Sequence, residues 1–210
     1  IETRSHAELL ALDFPPVDWV VGDLIASGLT LLVGAPKIGK SWLALQISIA
    51  VAGGYPLWAG RSAERQGRVL YLALEDSDRR LHDRLRKQAV PRAGSTALFD
   101  PVALQDLEFA TRAPAFVDNG LDAIRQAVVD RPGLRLLIID TLGRFRGAAQ
   151  QRDAYRDDTD FAAAVKQVAD DLNIAIVLVH HSRKLESADY VGRVSGTFGL
   201  TGAADTILLL

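Results

Sequence analysis

The sequence predicts an α/β domain, with a mostly parallel central sheet and helices on both faces. Three observations point there. Strand-length apolar runs alternate with helix-like stretches along the chain, the order from which parallel sheets are built. Those runs are continuously apolar, as strands are when both faces of a sheet are covered. The chain also has 210 residues, 49% hydrophobic and 24% charged, which suits one globular domain with a core of its own.

The elements follow in order. The first 28 residues carry five Asp or Glu against one Arg and read as a lead-in or edge segment, with the core over 29–210. Leu29-Thr30-Leu31-Leu32-Val33 is the first strand, and Ser41 to Ala52 is a helix apolar enough for a buried crossover. Val69 to Leu74 is the second strand. Ser77 to Ala89 is a charged helix whose Leu81 and Leu85, four apart, form a narrow buried stripe. The stretch from Arg92 to Pro114 is irregular, with a short strand expected at Leu107-Glu108-Phe109. Gly120 to Asp130 sets Leu121, Ile124 and Val128 on one helical face, and Leu136 to Ile139 is the third strand. Asp160 to Leu172 is a helix with Phe161, Val165, Val168 and Leu172 on one face, its acidic start suiting the positive end of the helix dipole. Ile174 to Val179 is the fourth strand, and Thr206 begins a fifth. The chain opens at Ile1, contains no Met and stops inside the run Ile207-Leu208-Leu209-Leu210. It is therefore expected to be a piece of a longer protein, truncated at its C-terminal side.

Composition removes several function classes. With no cysteine there is no disulfide framework, iron–sulfur site or thiolate zinc site. No apolar run reaches the ~18–20 residues of a membrane span, and the N-terminus lacks the order of a signal peptide, so no membrane partner and a cytoplasmic location are expected. A net charge of −2 gives no global attraction to nucleic acid, which leaves only local patches.

The most specific signal is Gly34-Ala35-Pro36-Lys37-Ile38-Gly39-Lys40-Ser41, a G-x-x-x-x-G-K-[ST] string between a strand and a helix. Such a loop turns successive backbone N–H groups toward phosphate oxygens and aims a helix N-terminus at the same anion. Lys40 supplies a point charge to the β- and γ-phosphates, and the Ser41 hydroxyl is a hard oxygen ligand for Mg²⁺. With Trp42 following, Gly34 to Trp42 is the expected nucleotide contact set. No Asn-Lys-x-Asp guanine motif occurs, so ATP is the expected nucleotide.

Three further strand ends carry polar groups. Asp140 closes the third strand, where an acid can hold Mg²⁺ opposite Ser41 or simply cap the next turn. Glu75 and Asp76 close the second, where one carboxylate can orient or deprotonate an attacking water and the other can cap the helix that follows. His180-His181-Ser182 closes the fourth. Adjacent histidines on an extended segment point apart and chelate one metal poorly. One of them, with His180 preferred, suits a hydrogen bond to the γ-phosphate or to the attacking water.

These residues resemble the RecA-like P-loop ATPases, and among them the hexameric replicative helicases of the plasmid RepA type. The likeness covers about residues 15–210. It is carried by the stretch from Gly28 through Ser41-Trp42, by Tyr71-Leu72-Ala73-Leu74-Glu75-Asp76, by Ile139-Asp140-Thr141-Leu142-Gly143-Arg144-Phe145, by Val179-His180-His181-Ser182, and by Gly196 to Asp205. The resemblance implies that the His180 strand lies between the Lys40 and Asp140 strands. It also implies that Lys40, Glu75, Asp140 and His180 serve catalysis, with Glu75 the catalytic carboxylate. It further implies a homo-oligomer, ring or filament, in which a neighbour's Arg or Lys reaches the γ-phosphate; no residue is assigned that role.

Two segments are candidates for single-stranded DNA. Residues 143–158 carry Arg144, Arg146, Arg152 and Arg156 with Phe145 and Tyr155, and residues 182–198 carry Arg183, Lys184 and Arg193 with Tyr190 and Phe198. Cations interleaved with aromatics suit phosphate attraction and base stacking, but the acids among them equally suit solvated loops. The expected function is a Mg-dependent ATPase motor on single-stranded DNA, a replicative helicase domain. The alternatives are a RecA-like recombination or strand-annealing ATPase, and an ATP-gated assembly module without nucleic-acid remodelling.

Overall fold

The computed structural model describes residues 2–89, 104–147, 154–181 and 199–210. A short helix α1 (His6–Leu10) precedes a two-stranded antiparallel hairpin, β1 (Trp19–Val21) and β2 (Ile25–Ala26). The chain continues through β3 (Gly28–Gly34), α2 (Lys40–Gly53), β4 (Arg68–Ala73), α3 (Asp78–Ala89), β5 (Leu107–Ala110), α4 (Gly120–Val129) and β6 (Leu134–Asp140). It ends with α5 (Leu142–Arg146), α6 (Ala154–Leu172), β7 (Ala175–His181), α7 (Gly199–Ala203) and β8 (Thr206–Leu209).

Strands β3 to β8 form one six-stranded sheet in the order β5-β4-β6-β7-β3-β8, with every neighbouring pair parallel. The expected doubly covered parallel sheet is therefore what forms, and the His180 strand does lie between the Lys40 and Asp140 strands. Alternation sorts each strand between two cores. Leu29, Leu31, Val33, Leu70, Leu72, Leu137, Ile139, Ile176 and Leu178 face α4, α5, α6 and α7. Leu32, Val69, Tyr71, Leu136, Ile138, Val177 and Val179 face α2, α3 and the hairpin. Both sides of the sheet are dry, so no position on a central strand needs a polar residue.

Helix α2 lies between the sheet and the hairpin, which explains why it is apolar on nearly every side: Ala44, Leu45, Ile47, Ile49, Ala50 and Val51 are all buried. On the other face Phe161 of α6 meets Phe116 edge-on at 4.9 Å and Phe145 of α5 at 6.2 Å. Each such aromatic pair adds about 0.5–1.5 kcal/mol beyond the area it buries.

The lead-in segment divides in two. Residues 2–17 are exposed, with α1 closed by a Ser5–Glu8 capping box. Residues 18–27 belong to the fold: Val20, Val21 and Ile25 are fully buried, and Asp18 accepts two hydrogen bonds from Arg135 at 2.7 and 2.8 Å. Strands of two and three residues are too short to show a period, which is why the hairpin leaves no mark in the residue pattern.

The segment 143–158 also differs from expectation. It opens as α5 and closes as the start of α6, which begins at Ala154 and not at Asp160. Phe145 is 1% exposed, filling the core beneath α6, so it has no face for a base. Arg146 forms an ion pair with Asp158, a nearly buried carboxylate. Arg144 is exposed. Arg152 and the whole of 182–198 lie outside the described residues, as do the side chains of Tyr155 and Arg156. Among the described residues no helix is long and apolar enough to cross a membrane.

Candidate active site

The carboxyl ends of β3, β7, β6 and β4 stand side by side along one edge of the sheet, where open parallel sheets bind ligands. Because β7 is inserted between β3 and β6, the loop after β3 and the acid after β6 face each other across one strand.

The loop of residues 34–41 is built for anions. Lys37 (φ 67°) and Gly39 (φ 114°) adopt left-handed backbone conformations, and alternation of hand along a short segment turns consecutive N–H groups to one side. At Gly39 a Cβ would meet nothing within 4 Å, so the requirement there is the dihedral and not the space. Gly39 also caps α2 without a side-chain hydrogen bond, leaving the first amides of the helix for another acceptor. Ala35, Pro36, Lys37 and Ile38 are exposed along the rim, whereas Lys40 is buried.

The Lys40 ammonium has three donors and three close acceptors. It donates to the carbonyls of Gly34 and Ala35, each at 2.8 Å, and lies 3.0 Å from His181 Nδ1. An ammonium can only donate, so Nδ1 accepts and the imidazole proton sits on Nε2. That Nε2 is 3.8 Å from Glu75 Oε2. Burial pulls the Lys40 pKa down, against the opposing pull of Asp140 and Glu75.

Asp140 is 4% exposed and accepts a 2.7 Å hydrogen bond at Oδ2 from the hydroxyl of Tyr71. Burial raises its pKa, while hydrogen bonds from Tyr71 and Ser41 work to lower it. The Tyr71 phenol is pushed well above its usual range by burial and by the Asp140 charge, so it stays the donor. The peptide joining Asp140 to Thr141 is cis.

Glu75 and Asp76 separate. Strand β4 ends at Ala73, and a turn closed by Asp76 N–H to the Ala73 carbonyl follows. Glu75, about half-exposed, accepts from Thr141 Oγ1 at 2.8 Å. Asp76, with its side chain only 5% exposed, is ion-paired to Arg84 and to Arg80 of α3, and Ser77 Oγ accepts from the Arg80 amide at the start of that helix. Glu75 is therefore the carboxylate on the Lys40 side, and Asp76 anchors α3.

The expected preference for His180 is reversed in placement. Parity along β7 puts His181 on the face of Val177 and Val179, the side of α2 and Tyr71, and turns His180 toward the side of Ile176 and Leu178. His181 is thus the imidazole at Lys40. Trp42, expected among the nucleotide contacts, packs toward α3: Arg84 lies over its ring at 5.9 Å and Gln88 donates to its carbonyl. Tyr71 and Thr141 are not among the residues expected from the sequence. A signal for Tyr71 exists there, since a phenol inside an aliphatic buried strand must find an acceptor.

The donor set fits magnesium with a nucleotide. Among the described residues no three His, Asp or Glu side chains form a metal cage. A hydroxyl and one carboxylate, Ser41 and Asp140, are what a Mg²⁺ ion needs when phosphates and waters complete its shell.

Residues 2–187 match the AAA domain family. Among solved structures the chain is similar to an ATPase domain solved on its own, with TM-score 0.66 and 16% identity over 88% of this chain and 69% of that one. It is similar to a DnaB-like replicative helicase solved for its interactions with primase, with TM-score 0.64 and 16% identity over 87% of this chain and 48% of that one, so it spans about half of that protein. It also resembles the RadB recombinase, with TM-score 0.57 and 16% identity over 89% and 75%. The fold is thereby that of the RecA-like P-loop ATPases.

Proposed function

The chain belongs to the AAA domain family, and on that footing we propose that it is a Mg-dependent ATPase motor that acts on single-stranded DNA as the ATPase domain of a replicative helicase. The observation that carries the proposal is the linked set at one sheet edge. Lys40 meets His181 at 3.0 Å, His181 faces Glu75 at 3.8 Å, and Glu75 is held at 2.8 Å by the residue that follows Asp140.

Each residue then has a task. The loop amides from Gly34 to Ser41 and the Lys40 ammonium bind the triphosphate. Ser41 and Asp140 hold Mg²⁺, which when bound neutralises charge on the phosphate oxygens. Glu75 orients the attacking water and accepts its proton, with Thr141 fixing the rotamer of the carboxylate. His181, between Lys40 and Glu75, reports whether a γ-phosphate is in place. The chain works as a homo-oligomer, ring or filament, with Arg144 and segment 182–198 toward the DNA.

Steady-state ATP hydrolysis with and without single-stranded DNA tests this, together with Glu75→Gln. The expected result is stimulation by DNA, and loss of at least about 10²-fold in turnover in the variant with ATP binding retained. Unstimulated hydrolysis without DNA retention would instead support an ATP-gated assembly module. The likeness to the RadB recombinase supports a second reading, a recombination or strand-annealing ATPase. Strand displacement by a longer form of the protein separates the two, since only the helicase reading expects it.

A further inference from the structure

We propose that Tyr71 is a positioning residue for the metal-holding acid: its hydroxyl takes Asp140 Oδ2 at 2.7 Å and leaves Oδ1 for the divalent cation that accompanies a nucleoside triphosphate. This rests on the reading of Asp140 as a magnesium ligand.

Tyr71 lies on β4 and Asp140 ends β6, and the two strands pair with Tyr71 opposite Ile138 and Ala73 opposite Asp140. The phenol therefore spans one strand spacing from two residues back and meets the carboxylate from beneath. Tyr71 is 1% exposed, its ring packed on Phe109 at 5.7 Å. A phenylalanine would fill that space with no polar atom to satisfy, so the volume does not explain the hydroxyl. The bond it makes does. A buried carboxylate with one free oxygen can rotate between two presentations of its lone pairs, and a single strong donor on Oδ2 selects one. The Ser41 carbonyl lies 3.5 Å from the same phenol, so Tyr71 joins the end of β6 to the first turn of α2, the two elements that carry the proposed metal ligands.

The test is the ratio of ATPγS affinity in MgCl2 to that in EDTA, measured by equilibrium binding on the full chain. Tyr71→Phe should lower that ratio about tenfold, as loss of one hydrogen bond to a charged group does, and leave the affinity in EDTA unchanged. In an Asp140→Asn background, Tyr71→Phe should produce no further drop. A folded Tyr71→Phe protein with the parent ratio overturns the proposal while leaving Asp140 as a metal ligand. A parent protein whose affinity ignores MgCl2 removes the reading of Asp140 and this proposal with it. If Tyr71→Phe does not fold, the chain with Tyr55, Tyr155 and Tyr190 changed to Phe keeps Tyr71 as its sole tyrosine. Its ¹³Cζ resonance should shift when MgCl2 is added to the ATPγS complex, and a resonance that does not move overturns the proposal.

Discussion

His181 Nδ1 stands 3.0 Å from the Lys40 ammonium, while its other ring nitrogen faces Glu75. One imidazole thus touches the cation proposed to bind phosphate and the carboxylate proposed to orient water. His181→Ala should reduce ATP turnover by about 10²-fold, the scale at which a positioned polar partner contributes. His180→Ala, on the opposite face of β7, should leave turnover within about threefold when the folded fractions are equal. Equal losses in the two variants, measured by steady-state hydrolysis, would remove the distinction.

Lys40 is buried and donates to two loop carbonyls. Lys40→Ala should weaken ATP binding by about 10²-fold, since it deletes a desolvated charge aimed at phosphate, and should retain the far-ultraviolet circular dichroism of the parent. Unchanged binding by calorimetry would dissociate residues 34–41 from nucleotide.

Phe145 tests the reassignment of 143–158. Its ring is buried against Phe161, so Phe145→Ala should destabilise the domain by about 3–5 kcal/mol in urea melts. Phe145→Leu should cost less, because it leaves a smaller cavity. A variant that weakens DNA binding with no change in the urea midpoint would return this residue to the DNA surface.

The ion pair between Asp18 and Arg135 makes stability depend on acid. Arg135 holds the Asp18 carboxyl below the ordinary 3.8, so its folded pKa is lower than its unfolded one. Stability from the pair is then full above that ordinary value and is lost as pH falls through the depressed folded value. Thermal midpoints followed from about pH 6 to about pH 3 should fall more steeply for the parent than for Asp18→Asn. Parallel slopes would show that the pair does not tie the N-terminal hairpin to β6.

Much of the fold is legible in the residues alone. Helices α2, α3, α4 and α6 and every strand of the main sheet lie close to where periodicity and apolar runs put them, because those runs are long enough for burial to leave a period. Segments with only two or three buried residues escape. The β1–β2 hairpin hides in an acidic stretch, and α5 hides in a string that composition marks as loop. Phe145 and Arg146 show why composition misleads there: an aromatic beside an arginine reads the same whether it meets solvent, DNA or a core.

The sequence by itself determined the chemistry at hand: a loop that turns amides toward an anion, a buried-strand pattern that demands helices on both faces, and acids at strand ends. Which side chains meet was decided only by the tertiary structure. Parity within a strand is local, but the face on which a given parity lands depends on which neighbour the strand pairs with and in what register. That is why His181 and not His180 reaches Lys40, why Asp76 turns to Arg84 while Glu75 turns to Thr141, and why a tyrosine two strand positions back supports Asp140.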